Sequence, residues 1–244
     1  MRILRWVFGL MLVAELTLAG LAQAQVRPAP AGAALLVSSS TATAGAAMQG
    51  NNADWARAVV KKISLNRTPP LFDTDEPAGA EITTADVRCL RAGGKLYVQL
   101  SWRDATRDAA TLEVVPETAP ETRFRKVPTE AEDRFFDAAA VMLPDTPGSA
   151  LNPSLQMGDA EHPVHIYYWN SARGAMLMTA SGRATTRRTG NSFPASAVYQ
   201  NNQWVVTFEL PDHPVGTPLA FAIWNGSQKD RDGRKYFSVW YTLE

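Results

Sequence analysis

The sequence predicts an all-β protein, a single antiparallel β-sandwich with few short helices, and three observations carry that prediction. Leu96, Val98, Leu100 and Trp102 alternate with Tyr97, Gln99 and Ser101, and Trp204, Val206, Phe208 and Leu210 repeat the pattern until Pro211 closes it. A period of two marks a strand with one buried face. Short apolar runs recur between clusters of Pro, Gly, Asn and Asp, the punctuation expected of strands joined by turns. No segment of the 244 residues carries a long helical period.

Taken in chain order, Arg2 and Arg5 precede an apolar run from Trp6 to Leu21 that only Glu15 interrupts, and Ala22-Gln23-Ala24 meets the small-x-small cleavage rule. Residues 1–24 therefore read as a secretory signal peptide. A retained anchor fits less well, because a span needs about 20 mostly apolar residues and Glu15 would lie in its middle. Residues 25–50 are mostly Ala, Pro, Ser, Thr and Gly and predict a flexible arm, with Leu35-Leu36-Val37 its one apolar cluster. The globular domain is expected over 51–244. Within it Asp54–Lys62 predicts a turn or two of helix. Besides the two alternating runs, strands are expected at Lys61–Arg67, Ala138–Leu143, His165–Trp169, Ala175–Ala180, Leu219–Trp224 and Tyr236–Leu243. The Pro-rich insert from Val114 to Pro128, with its acids, reads as a solvated loop.

Lys and Arg number 24, as do Asp and Glu, so there is no basic stripe of the kind nucleic-acid binding needs. The single cysteine, Cys89, cannot form an internal disulfide and reads as a small buried apolar residue. It also excludes a Cys-x-x-Cys-His haem attachment and a cysteine-ligated iron–sulfur cluster. No phosphate loop, nucleophile elbow or paired zinc-ligand spacing occurs. Asp230-Arg231-Asp232-Gly233 fails as a calcium loop, since that register puts Gln228 and Val239 where acids are required. With no catalytic constellation, the chain is expected to carry or bind something rather than to be an enzyme.

Two stretches offer a site. One is Ser154-Leu155-Gln156-Met157-Gly158-Asp159, leading into His165-Ile166-Tyr167-Tyr168-Trp169; the other runs from Phe221-Ala222-Ile223-Trp224-Asn225-Gly226-Ser227 through Asp232-Gly233-Arg234-Lys235 to Ser238-Val239-Trp240. Methionine ordinarily fills gaps in a core, but Met157 lies in an irregular segment from which a thioether can reach a metal. Gly158 allows backbone to approach a flat macrocycle closely. Lys235 sits at the edge of an aromatic strand; as a ligand its amine must lose the proton that a free lysine keeps up to a pH near ~10.4, and burial favours that loss. On charge pattern alone Lys235 is a solvated lysine of a charged hairpin, in which Lys229 is the nearest alternative ligand. His165 can take the place of Lys235 or contact a propionate, while His162 reads as a loop residue and His213 as a turn residue. Met157, His162 and His165 together also suit copper. Tyr97, Trp102, Trp169, Trp204 and Trp224 can form a sugar-binding platform if they are exposed.

The two stretches resemble the haem b-binding gamma subunit of periplasmic DMSO reductase-type molybdenum enzymes, the group that acts on ethylbenzene, dimethylsulfide, selenate and chlorate. Asp54-Trp55 and the strand ending in Trp102-Arg103-Asp104 also resemble sandwich domains of the carbohydrate-binding and DOMON type. The first resemblance implies one b-type haem with Met157 and Lys235 as its axial ligands. Trp224 then belongs to the family's Trp-x-Gly turn, here Trp224-Asn225-Gly226, and Arg234 or Arg231 to the propionates. It further implies a periplasmic electron-transfer subunit joined to a molybdopterin catalytic subunit and an iron–sulfur subunit, exchanging electrons with a soluble cytochrome. Filling both axial positions leaves no open site on the iron, which favours electron transfer over chemistry.

Overall fold

The computed structural model describes residues 33–49, 53–69, 81–109, 112–115, 123–126, 135–146 and 152–244. The expected signal peptide, the start of the arm and much of the acidic insert lie outside them. In chain order the elements are β1 (Ala34–Leu35), β2 (Val37–Ser39), α1 (Ala44–Met48), α2 (Ala53–Arg57), β3 (Lys61–Ser64), β4 (Asn66–Arg67), β5 (Thr84–Ala92) and β6 (Lys95–Arg103). There follow β7 (Leu112–Val115), β8 (Arg123–Lys126), β9 (Ala138–Pro144), β10 (Val164–Asn170), β11 (Gly174–Ala180), β12 (Arg187–Arg188), β13 (Ala195–Gln200) and β14 (Gln203–Pro211). The chain ends with β15 (Pro218–Trp224), a turn of 3-10 helix (Gly226–Gln228), β16 (Tyr236–Phe237) and β17 (Tyr241–Leu243).

The period-two alternation becomes two facing sheets. One has nine strands in the order β1-β17-β15-β9-β10-β11-β12, with β16 on β15 and β4 on β16; the other has six in the order β13-β14-β6-β5-β2, with β3 on β5. Between them lies the main core. Val98, Leu100, Val206 and Phe208 of the six-stranded sheet pack against Val141, Leu143, Tyr167, Trp169, Phe221 and Ile223 of the nine-stranded one. The outer face of the six-stranded sheet is covered too: Ala47 of α1 and Trp55 of α2 bury Leu90, Ala92 and Tyr97, and the Trp55 Nε1–H donates to the Ala47 carbonyl at 2.8 Å.

Several expectations change. Residues 33–49 are not a loose arm: Ala34 lies beside Thr242 and Val37 beside Cys89, both in parallel pairings, because Leu35 has a core position to fill. The sandwich is therefore not wholly antiparallel. Lys61–Arg67 is two strands in different sheets, β3 on β5 and β4 on β16, with buried Leu65 at the crossing. Tyr236–Leu243 is likewise broken. The Ser238 side chain accepts the Phe221 amide at 2.9 Å, where a continuous ladder would offer a backbone carbonyl. The insert is no simple loop, since β7 and β8 pair as a hairpin with Leu112 opposite Lys126. The helix expected over Asp54–Lys62 stops at Arg57, and Val59 and Val60 are left exposed.

Candidate functional site

The outer face of the nine-stranded sheet carries a second apolar cluster of a different make. Alternation sends Ala138, Ala140 and Met142 of β9, Ile166 and Tyr168 of β10, and Ala220, Ala222 and Trp224 of β15 outward together. Register sets Ala140 between Ala222 and Tyr168, and Met142 between Ala220 and Ile166. The result is a low floor of alanines. Trp224, Trp240, Tyr168, Met178, Leu155 and Met157 stand around it.

Met157 is delivered by the loop between β9 and β10. It has a left-handed backbone, φ 74°, and Gly158 follows at φ 76°. That conformation is uncommon for a residue with a side chain and is held only where its surroundings demand it. Here the Gly182 amide donates to the Met157 carbonyl at 2.9 Å and the Gly158 amide to Ser154 at 2.8 Å. A Cβ on Gly158 would meet the His162 carbonyl at 2.7 Å, so glycine is required for the loop to close. Trp240 Nε1–H donates to the Pro153 carbonyl at 2.9 Å and ties the loop to the C-terminal strands.

Lys235 arrives from the opposite side. Its backbone is clamped by Thr68, whose amide and hydroxyl both donate to the Lys235 carbonyl, at 2.9 and 2.8 Å, while the Lys235 amide donates back to the hydroxyl at 2.8 Å. The loop before it winds around the buried Asp230, which accepts from Arg67 at 2.6 and 3.2 Å and from the Asn225 amide at 3.1 Å. So placed, Lys235 Nζ reaches 3.8 Å from Met157 Sδ and lies 5.3 Å from the centre of the Trp224 ring. Trp224 is fixed by its own Nε1–H bond to the Asp232 carbonyl, 3.1 Å, and by edge contact with Tyr168 at 5.2 Å. Burial pushes the Lys235 amine below the ordinary lysine range; Asp232 opposes the shift and Arg183 adds to it. The ammonium form is thus disfavoured where a lone pair would have to be offered.

The other sequence candidates fall elsewhere. His165 alternates away from this face and pairs with Asp145 at 3.2 Å, so it is no substitute for Lys235. His162 is held by Asp159 at 2.9 Å within the loop. With His165 on the other face, the copper cluster does not assemble, and among the described residues no group of three His, Cys, Asp or Glu could hold a metal ion. Arg234 approaches Asp230 at 3.6 Å, and Arg231 lies over the Phe135 ring at 4.5 Å. Lys229 lines a separate cleft of about 340 Å³ with Arg107, Asp108, Phe135 and Ser227. Gly226 explains the glycine of the turn: a Cβ there would collide with Asp108 and stand 2.7 Å from the Phe135 carbonyl, and its amide donates to Asp137 at 3.0 Å. Tyr97, Trp102, Trp169, Trp204 and Trp224 are all buried, which removes the sugar platform. Cys89 is buried, its thiol pushed up to about 12, and is inert.

The sequence reading missed the alanine floor, Tyr168, Met178 and the Thr68 clamp. The signal for the floor was present, because Ala138–Leu143 is apolar at every position and so implies burial on both faces. A thioether and a lysine amine that converge over an apolar floor are a donor set suited to a planar iron macrocycle, and these residues fit such a group.

Known proteins match much of the chain. The ethylbenzene dehydrogenase family matches residues 52–210, a stretch that includes Met157 and stops before Lys235. The chain is 31% identical over 176 residues to a protein of Haloferax mediterranei named as a respiratory nitrate reductase haem subunit, covering 66% of this chain and 55% of that protein. It is 29% identical over 210 residues to the gamma subunit of dimethylsulfide dehydrogenase from Rhodovulum sulfidophilum, covering 76% and 70%. It is 26% identical over 169 residues to the gamma subunit of chlorate reductase from Ideonella dechloratans, covering 64% and 62%. The chain thus spans about half the length of the Haloferax protein and somewhat under two thirds of the Ideonella one. With more than half of its residues inside the family match, the chain belongs to the ethylbenzene dehydrogenase family, the gamma-subunit group of DMSO reductase-type enzymes that its motifs resemble.

Proposed function

We propose that this chain is the non-catalytic electron-transfer subunit of an oxidoreductase complex and holds one b-type haem on the alanine floor, with Met157 and Lys235 as axial ligands. The observation that carries the reading is the 3.8 Å approach of Lys235 Nζ to Met157 Sδ above an apolar face. When bound, the haem supplies a one-electron couple whose potential a thioether ligand raises. The chain's own residues do the rest. Thr68 and Asp230 position Lys235. Burial lowers its amine below the ordinary lysine range, which favours the neutral form a ligand needs. Trp224, Tyr168, Met142, Met178 and Trp240 exclude water from the face. Buried Cys89 offers no thioether link, so the haem is held by ligation and packing alone.

The relatives named as a haem subunit and as gamma subunits support association with other subunits of an oxidoreductase complex; we propose that these are a molybdopterin catalytic subunit and an iron–sulfur subunit, with a soluble cytochrome as the external carrier. Residues 1–24 are proposed as a signal peptide that sends the chain to the periplasm, and no helix among the described residues is long and apolar enough to cross a membrane. The test is an absorption spectrum of the purified protein, oxidised and reduced, with a pyridine haemochrome assay. A low-spin b-type spectrum that Met157→Ala and Lys235→Ala each abolish or shift supports the assignment. A protein that stays colourless after haem is supplied rejects it, and an unchanged spectrum in either variant rejects that ligand.

A further inference from the structure

The hairpin of β11 and β12 carries arginines that the floor and its two donors leave unused. Arg183 follows Gly182, whose amide holds the Met157 carbonyl, and its charge acts on Lys235. Arg188 is the register partner of Met178, which packs on the floor, while Arg187, paired with Thr179, alternates to the other face. Arg173, in the turn between β10 and β11, acts with Arg188 on the Tyr168 hydroxyl. All four arginines are exposed. Among the described residues, no carboxylate lies within ion-pair distance of Arg183, Arg187 or Arg188. Of the acids in the two site loops, Asp159 is held by His162 and Asp230 by Arg67 and Arg234, which leaves Asp232 and Glu161 to oppose them. In a chain whose formal charges cancel, the positive excess is therefore gathered along one margin of the site.

We propose that this arginine margin is the docking surface for an acidic face on the soluble redox protein that exchanges electrons with the site, an inference that rests on the function proposed above. Unpaired exposed charge of one sign does little for the fold, whereas opposite charge on a partner steers encounter and fixes orientation. The placement suits that task. Arg183 and Arg188 flank Met157 and Met178, so a partner drawn to them lands over the side of the floor that the Met157 loop borders. Charged residues on a two-residue edge strand also discourage stray strand pairing, but that role needs no alignment with the site.

The test compares an acidic and a basic c-type cytochrome of similar potential against the haem-loaded protein. Affinity is measured by calorimetry and electron-exchange rate by stopped flow, each at low and physiological ionic strength. The expected result is tighter binding and at least about tenfold faster exchange with the acidic cytochrome, a preference that added salt weakens. The double variant R183E/R188E should reverse the preference, and R183Q/R188Q should abolish it, each compared with the wild-type protein at equal haem content. Equal or opposite preference in the wild-type protein overturns the proposal. So does a glutamine variant that keeps the preference, or one that loses haem without losing it, which would assign the arginines to the haem carboxylates. If the protein binds no haem, the function above fails, while the calorimetric preference still confirms or rejects docking.

Discussion

In β9, β10 and β15 the inward side chains include Val141, Leu143, Tyr167, Trp169, Phe221 and Ile223, and the outward ones set Ala138, Ala140, Ala220 and Ala222 among Met142, Ile166, Tyr168 and Trp224. The same backbone makes both faces, so the difference is one of volume. The inner face meets another sheet across roughly 10 Å, a gap that only large side chains can fill. The outer face meets two loops, whose side chains bury its small alanines. On the far side of the molecule the outer face of the six-stranded sheet shows the ordinary solution, with Trp55 and α1 covering it. An apolar surface that stays shallow and is bordered by two donor atoms serves something other than the stability of the sandwich.

The sharpest way to break that contrast is to remove a donor. Met157→Ala or Lys235→Ala should lower haem retention by more than about 100-fold, since even partners one shell beyond a metal ligand cost about 10- to 100-fold; haem titration of the apoprotein measures it. On the inner face, Phe221→Ala should lower unfolding stability by about 3–5 kcal/mol in urea, the usual cost of an emptied aromatic site. Ala140→Leu on the outer face should behave in the opposite sense. It should reduce haem affinity at least about tenfold and move apoprotein stability by less than about 1.5 kcal/mol, and a loss as large as at Phe221 would show that the two faces are packed alike. Gly226→Ala should cost about 1–3 kcal/mol by forcing Asp108 and Phe135 apart, read as a lower melting temperature.

The smallest effect is a pH slope. Burial and the neighbouring Asp104 carboxylate raise Asp137 to about 7, while donors from Gly226, Asp108 and Trp204 hold its charged form and keep the slope shallow. A carboxyl raised on folding adds stability below its unfolded value of 3.8 and loses it as pH climbs through the folded value. The apoprotein's melting temperature should therefore fall between about pH 4 and pH 7 from this group, and Asp137→Asn should flatten the fall. An unchanged profile in that variant would remove Asp137 from the account.

Much of the sandwich was legible because large residues alternate along β6 and β14. β5 was not, since its buried positions Ala85, Val87 and Cys89 are small and signal weakly. β13, an edge strand reading Ala-Ser-Ala-Val-Tyr-Gln, hides for the same reason. Residues 33–49 looked disordered by composition, and only their tertiary pairing orders them. At the site, Met157 stood out through its glycine-flanked loop. Lys235 was visible through family likeness alone, because desolvation depends on Thr68 and Trp224, which lie far from it or out of register with it in the sequence.

β1 and β2 impose an order of events on folding. Ala34 sits beside Thr242 in one sheet, and three residues later Val37 sits beside Cys89 in the other, with Leu36 the only residue between the strands. Among the described strands, β1 must wait for β17 before the nine-stranded sheet has this edge, so the sandwich is sealed only after the strands between them have been made. Contacts of such long sequence separation form slowly.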